Sequence, residues 1–314
     1  MGIKPKRCLV IYNPMSGKGM DEKTIFEYKN VLKSKGYDVD FVATKGSNHA
    51  TEIVSTAEHY DIVFSIGGDG TLNEVVKGNY LREDRLTICP LPSGTCNDVA
   101  TMLGYGKNSI DNLVMALEGE VNDIDIGTVN DDPFAYVIGM GTLMNIPYET
   151  SSEEKRKSGY FAYVKAATGT LLSKMRRYRA EVTVDGMTLD GQYSLIMVSN
   201  ANHIAGIDGF HKEVCLDDGK MEVLLCKAKN KFDFIKNFLL YLAGAPAEAI
   251  RSLKAKDVTI RLLEQPEKEW CIDGERYTNT CSTYKIRISD KMKFLTPKVK
   301  SKKLFKSHQE LLQH

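Results

Sequence analysis

The sequence predicts an α/β unit built on a parallel sheet over residues 1–125, followed by a β-rich unit over 126–297. Three observations carry this reading. Strand and helix signals alternate from Cys8 to Leu103, an order that lays parallel strands between helices. Three of those strands run directly into loops rich in Gly, Ser and Asn, the place where such sheets bind ligands. From about Asn122 the pattern changes to closely spaced strands with few helices. A segment near 285–297 is a candidate strand returning to the first unit, and 298–314 reads as a basic, mobile tail.

Cys8–Tyr12 is an apolar strand ending in Asn13-Pro14-Met15-Ser16-Gly17. Asp21–Lys35 reads as a helix, with Ile25, Tyr28, Val31 and Leu32 on one face and Gly36 as its stop. Tyr37–Thr44 alternates as a strand and His49–His59 is a second helix. The buried strand Asp61–Ile66 leads into Gly67-Gly68-Asp69-Gly70, then a helix over Thr71–Asn79. Leu86–Leu91 is the next strand, running into Pro92-Ser93-Gly94-Thr95-Cys96-Asn97-Asp98. The loops 13–17, 67–71 and 93–98 should therefore meet in one crevice. In the second unit, strands are expected at Asp123–Thr128, Tyr136–Met140, Ala180–Asp185, Tyr193–Ser199, Met221–Lys227, Val258–Leu263, Glu269–Ile272 and Tyr284–Ile288. Its helices are expected at Tyr160–Lys174 and Lys231–Ala243.

Composition narrows the classes of function. The 314 residues are 42% hydrophobic and 26% charged, ordinary for a globular protein with a sizeable core. A net charge of +1 argues against a nucleic-acid partner. The seven cysteines form no CxxC pair and several lie in apolar runs, which points to free thiols in a reducing cytoplasm and away from zinc. Strand-like residues begin by Arg7, unlike a signal peptide. The longest apolar stretch, Phe238–Ala243, is too short to span a bilayer.

The chemistry concentrates in the loops. Glycines at 67, 68 and 70 let the backbone approach a ligand, and amides at the following helix start favour phosphate. Asp69 beside them repels an anion unless a cation intervenes, so the loop reads either as a metal-assisted phosphoryl site or as a tight strand-to-helix turn. Asn13–Lys18 is a polar turn that departs from a Walker A loop, with Tyr12 and Gly19 where Gly and Ser or Thr belong. In 94–98, Gly94 permits close approach, Thr95 and Asn97 add neutral polar contacts and Asp98 a second carboxylate, alternatively a helix cap. Asp125 is a third acid or a solvent-facing strand residue. Asp273-Gly274-Glu275 reads as a hairpin turn or a general base, with Trp270, Ile272 and Tyr277 as apolar neighbours that raise a carboxylate's pKa.

Taken in order, NPMSGKG at 13–19, GGDGTLNEV at 67–75, PSGTCND at 92–98, DIDIG at 123–127, LDDGKMEV at 216–223 and CIDGE at 271–275 resemble the diacylglycerol kinase catalytic family, over roughly residues 6 to 297. GGDGT alone is shared with NAD kinases; joined to GTxND and a late DGE it is far more specific. The resemblance implies an ATP-binding α/β domain facing a β-sandwich domain, with the lipid headgroup entering the cleft between them. It implies ATP contacts from Asn13, Pro14, Met15, Ser16, Gly17, Thr44, Gly67, Gly68, Asp69, Gly70, Thr71, Leu72, Asn73, Thr95 and Asn97. It implies Mg²⁺ held through Asp69, Asp98 and Asp125, and Glu275 or Asp273 as the base that frees the lipid hydroxyl. A structural magnesium of the family maps to the Asp218 carboxylate, with the Cys215 and Lys220 carbonyls as co-ligands.

The chain departs from the family in two places. Asn200–Gly206 keeps an Asn and a Gly where an N…GGG run is usual, and His211-Lys212-Glu213-Val214 replaces a Pro-rich approach to LDDG. These departures leave the acceptor open: diacylglycerol, phosphatidylglycerol, a sphingoid base or an undecaprenol-like alcohol. An NAD kinase and a non-catalytic nucleotide- or lipid-binding regulator are the remaining alternatives. A bilayer substrate implies a cytoplasmic protein in transient, peripheral contact with the inner membrane face. Lys174, Arg176, Arg177, Arg179 and the Lys-rich tail are candidates for that contact. An exposed strand edge in the second unit would suit a homodimer.

Overall fold

The computed structural model describes residues 6–17, 20–142, 144, 175–264, 270–279, 281–298 and 302–306. The chain divides into two compact units, residues 1–124 with 291–314, and residues 125–290.

The first unit runs β1 (Lys6–Tyr12), α1 (Glu22–Ser34), β2 (Tyr37–Ala43), α2 (His49–Thr56), β3 (Ile62–Gly67), α3 (Asp69–Tyr80), β4 (Thr87–Pro92), α4 (Asp98–Met102) and α5 (Ser109–Leu117). Its sheet has the order β2-β1-β3-β4, all parallel. Phe294, near the chain's C-terminal end, pairs in parallel with Ile88 of β4. Strand β3 is buried along its whole length, as expected where helices cover both faces of a parallel sheet. Helix α1 starts where Asp21 accepts the Thr24 N–H at 2.8 Å, and Tyr28 and Leu32 bury its inner face. Gly78, a weak helix former inside α3, is explained by packing: a Cβ there would lie 2.6 Å from the Thr51 carbonyl oxygen of α2. Helix α5 was not expected. Asn108 caps it by accepting the Ile110 N–H at 3.1 Å, and the Tyr28 hydroxyl ties it back by donating to Ser109 O at 2.9 Å.

The second unit holds most of β5 (Glu120–Val129), then β6 (Asp132–Phe134), β7 (Val137–Gly141), β8 (Tyr178–Val184), β9 (Met187–Tyr193), β10 (Leu195–Ser199), β11 (His203–Ile204), β12 (Ile207–Asp208), β13 (Met221–Cys226), α6 (Lys231–Ala243), β14 (Ile250–Ala255), β15 (Asp257–Leu262), β16 (Trp270–Ile272), β17 (Glu275–Tyr277) and the first part of β18 (Thr283–Thr296). One sheet has the order β14-β13-β10-β7-β16-β17, and β9, β8, β15 and β18 pair side by side in another. Alternate residues of the two sheets share one core: Ile138, Val198 and Val223 from the first, Val182, Ile260 and Ile286 from the second. Trp270 and Tyr284 close it, ring centroids 4.6 Å apart. Strands β6, β9, β11, β12, β14 and β17 come in addition to the expected set. The expected helix over 160–174, with Lys174, lies outside the described residues, as do Lys18 and Glu269.

Among the described residues four hairpins turn on two left-handed residues each: Asn130-Asp131, Asp185-Gly186, Ala205-Gly206 and Asp273-Gly274. None of the seven cysteines is in a disulfide. Where it is described, the basic tail is packed: Lys302–Leu304 form a 3₁₀ turn, and Leu304 and Phe305 are buried. Among the described residues no helix is long and apolar enough to cross a membrane.

Candidate active site

The three loops of the first unit do meet. The Asn13 N–H donates to Ile66 O at 3.0 Å, pinning the first loop to the end of β3. Within it, Asn13 Oδ1 accepts the Met15 N–H at 2.9 Å, and Gly17 (φ +57°) passes so close to Ser93 that a Cβ would lie 1.9 Å from its carbonyl oxygen. Gly67 O accepts the N–H groups of Ser93 at 2.9 Å and Gly94 at 3.2 Å. A Cβ on Gly94 would lie 2.5 Å from Gly68 Cα. Only glycines allow two strand-end loops to touch backbone to backbone in this way.

The helix α3 begins at Asp69, two residues earlier than expected, and its Ncap, Gly68, supplies no side-chain bond. The first amides of this twelve-residue helix are therefore served by no cap side chain, at the end where the helix dipole favours an anion. Leu72 and Asn73, expected at the nucleotide, are buried in the helix's inner face, whereas Asp69 is half-buried and Thr95 exposed. Asn97, left-handed at φ +53°, braces the third loop both ways: Oδ1 accepts the Gly94 N–H and Nδ2 donates to Gly94 O, each at 2.8 Å. Asp98 is buried at the start of α4.

Gly67, Gly68, Asp69, Pro92 and Asn97 line a small pocket together with Ser65. Ser65 is 2% exposed, and its hydroxyl has no hydrogen-bond partner among the described residues. The sequence reading passed over it; the available signal was a lone hydroxyl in the apolar run Ile62–Ile66. A glycine cradle, a helix start and an unsatisfied buried hydroxyl together can hold a phosphate.

Of the residues expected beside the metal, Asp125 lies in the second unit. It is fully buried. Its N–H donates to Leu216 O at 2.7 Å, its Oδ2 accepts the Gly219 N–H at 2.5 Å, and Asn200 Nδ2 donates to its carbonyl at 3.0 Å. This carboxylate therefore clamps the LDDG turn, a part that the solvent-facing reading of the strand did not foresee. In that turn Asp218 Oδ1 accepts the Lys220 N–H at 2.9 Å, and the Cys215 thiol donates to Asp217 Oδ1 at 3.1 Å. Burial first of all pushes the Cys215 thiol up to about 12, so it stays protonated. Among the described residues, no three His, Cys, Asp or Glu side chains gather as a metal site.

The two candidates for the base have opposite surroundings. Asp273 is buried at φ +46°, and its carboxylate accepts the N–H groups of Ala135 at 2.5 Å, Tyr136 at 2.9 Å and Val137 at 3.0 Å. Glu275, across the hairpin from Ile272, is exposed. The apolar crowding expected around these acids is not found, because Trp270, Ile272 and Tyr277 turn into the core while Asp273 sits among amides.

Where the chain departs at 211–214, His211 is buried. Its Nε2 lies 3.0 Å from Ser199 Oγ and its Nδ1 2.5 Å from the Tyr241 hydroxyl. Burial, helped by Lys254, holds its pKa down at about 4. Glu222, opposite Ser199 on β13, is buried with one oxygen unpartnered among the described residues. Burial raises it to about 8, although Lys254 Nζ stands 3.8 Å away.

A parallel α/β unit with a glycine cradle at its strand ends, in a chain whose second unit packs two sheets, has the chemistry of a phosphotransferase. Residues 7–129 match the model of the diacylglycerol kinase catalytic domain. It is 29% identical over 273 residues to the diacylglycerol kinase of Bacillus subtilis (strain 168), covering 86% of this chain and 90% of the relative. It is equally similar to the diacylglycerol kinase of Staphylococcus aureus (strain JH9), over 86% of each. The crystal structure of a diacylglycerol kinase from Bacillus anthracis str. Sterne matches 94% of this chain and 98% of its own, with a TM-score of 0.75 and 25% identity. These likenesses place the chain among ATP-dependent lipid kinases.

Proposed function

We propose that this kinase transfers the γ-phosphoryl group of ATP, with Mg²⁺, to the free hydroxyl of diacylglycerol, giving phosphatidic acid and ADP. The observation that carries the phosphoryl chemistry is the touching pair of backbones at Gly68 and Gly94, with the start of α3 and the Ser65 hydroxyl in the same pocket. Asn13, Pro14, Met15, Ser16, Gly17, Thr44, Gly67–Asn73, Thr95 and Asn97 serve the nucleotide. Of these, Leu72 and Asn73 act by shaping the helix start, since their side chains are buried.

Asp69, Asp98 and Asp125 are the carboxylates offered to Mg²⁺, which when bound offsets phosphate charge. Asp218 with the carbonyls of Cys215 and Lys220 is the corresponding set for a structural ion. Glu275 takes the hydroxyl proton as the alcohol oxygen bonds to the γ-phosphorus and the bond to the β-γ bridging oxygen breaks. Asp273, whose carboxylate is committed to three amides, positions the hairpin that carries Glu275. Arg176 and Arg179, both exposed, are the cations proposed to meet anionic headgroups.

The test is transfer from radiolabelled ATP with Mg²⁺ to mixed micelles offering diacylglycerol, phosphatidylglycerol, a sphingoid base and an undecaprenol-like alcohol, with NAD alongside. Label in phosphatidic acid supports the proposal. Label in another lipid renames the acceptor, label in NADP overturns the lipid reading, and no label despite ATP binding favours a regulator.

A further inference from the structure

Helix α6 turns an apolar stripe outward, where a helix on a globular surface ordinarily carries polar residues. At helical spacing Phe232, Ile235, Leu239 and Leu242 share one side. Phe232 is 86% exposed and Leu239 61%. The helix does not need this face to hold its place. Asn230 caps its start, accepting the Asp233 N–H at 3.0 Å, and Gly244 at φ +71° ends it. Its other side is fixed by Phe210 packed on Phe238, ring centroids 5.7 Å apart, by the Tyr241–His211 contact, and by the Ala249 N–H donating to Asn237 Oδ1 at 3.0 Å.

Cations border the stripe. Lys229 and Lys231 stand at the N-terminal end, and Lys236 lies on the surface between Phe232 and Leu239. The Lys212 ammonium lies over the last turn, 1.9 Å from where a Cβ on Gly244 would be. Both oxygens of Asp233 are engaged, by the Lys229 N–H and by Asn237 Nδ2. Glu213 and Glu248 are the other carboxylates on the adjoining loops.

We infer that this face docks on an anionic bilayer surface. The apolar side chains enter the boundary between headgroups and acyl chains while the lysines meet lipid phosphates. A second copy of the chain fits less well, because an isologous contact would set the same lysines against each other. The inference rests on the lipid-kinase reading, since a kinase of a bilayer lipid must reach its substrate at that surface.

The test is co-sedimentation of the full chain with phosphatidylglycerol–phosphatidylcholine vesicles, comparing wild type with the double variant F232S/L239S. The wild type should bind, less so at high salt, and the variant's vesicle affinity should fall about tenfold or more. Its thermal midpoint should be unchanged, as should its activity on a short-chain, monomerically dissolved diacylglycerol, while activity on vesicle-borne diacylglycerol falls. Failure of the wild type to bind vesicles, or equal binding by both proteins, overturns docking. So does a shift from dimer to monomer in the variant with vesicle binding retained. Failure of the lipid-kinase reading shows separately, as absence of transfer to any lipid by the wild type, whatever the vesicles report.

Discussion

The Gly219 N–H donates to Asp125 Oδ2 at 2.5 Å, so a residue read as a metal carboxylate also holds the LDDG turn to the strand that opens the second unit. The two roles separate by substitution. Asp125→Ala leaves a backbone donor without its acceptor and should cost about 1–3 kcal/mol of stability. Asp125→Asn keeps an oxygen for Gly219 and should retain most of the stability, while Mg²⁺-dependent activity falls. Thermal unfolding and a Mg²⁺ titration of kcat check this; full activity in the Asn variant would remove Asp125 from the metal set.

The acids of the late hairpin should part in the same way. Asp273→Asn replaces an acceptor of three amide bonds, setting an amide N–H₂ against backbone N–H groups, and should lose about 1–3 kcal/mol. Glu275→Gln, on the surface, should stay within about 0.5 kcal/mol of wild-type stability. It should nonetheless lower kcat by about 10²-fold or more as the lost base. Undiminished kcat in Glu275→Gln would take the base away from this position.

Ser65→Ala tests the pocket. The hydroxyl is buried and without a partner among the described residues, so its removal should leave stability unchanged or raise it by up to about 1 kcal/mol. If the hydroxyl faces the nucleotide, the KM for ATP should rise about two- to tenfold with kcat less affected. An unchanged KM would mean that the pocket is not where ATP binds.

Stability should follow pH through two buried groups of the second unit. Glu222 is raised from 4.5 to about 8, so the folded state holds a proton that the unfolded chain releases, and stability falls as pH climbs from about 4.5 to 8. His211 is lowered from 6.5 to about 4, so the unfolded chain takes the proton first, and stability is lost as pH falls from about 6.5 to 4. The two oppose each other below 6.5, and above it Glu222 acts alone, with a decline of up to about 2 kcal/mol by pH 8. Denaturant titrations of Glu222→Gln should show this decline flattened; an unaltered profile would assign it elsewhere.

The elements that rest on local signals were legible. Helices α1 and α6 begin and end within a residue of expectation, because Asp21 and Asn230 cap their starts and Gly36 and Gly244 follow their ends. The Asp273-Gly274 turn is the hairpin that Asp-Gly announces. Strand β9 was passed over because Asp190 and Gly191 interrupt its apolar pattern, and its pairing with β8 overrides that. Strand β18 runs eight residues past the Tyr284–Ile288 core through Ser289, Asp290 and Lys291, polar residues that break the apolar run.

The sequence by itself determined the order of strands and helices, the glycines at the strand ends and the acids that follow them, since backbone freedom and polar pattern are properties of neighbours in the chain. Tertiary structure decided what each acid and hydroxyl does. Asp125 meets Gly219 across ninety-four positions, Asp273 meets Tyr136 across 137, and Ser65 faces a pocket closed by its own strand's loop and by the loop that follows β4. Whether a carboxylate is committed to amides or open to a proton depends on which distant backbone folds against it, and that partner cannot be read from residues adjacent in sequence.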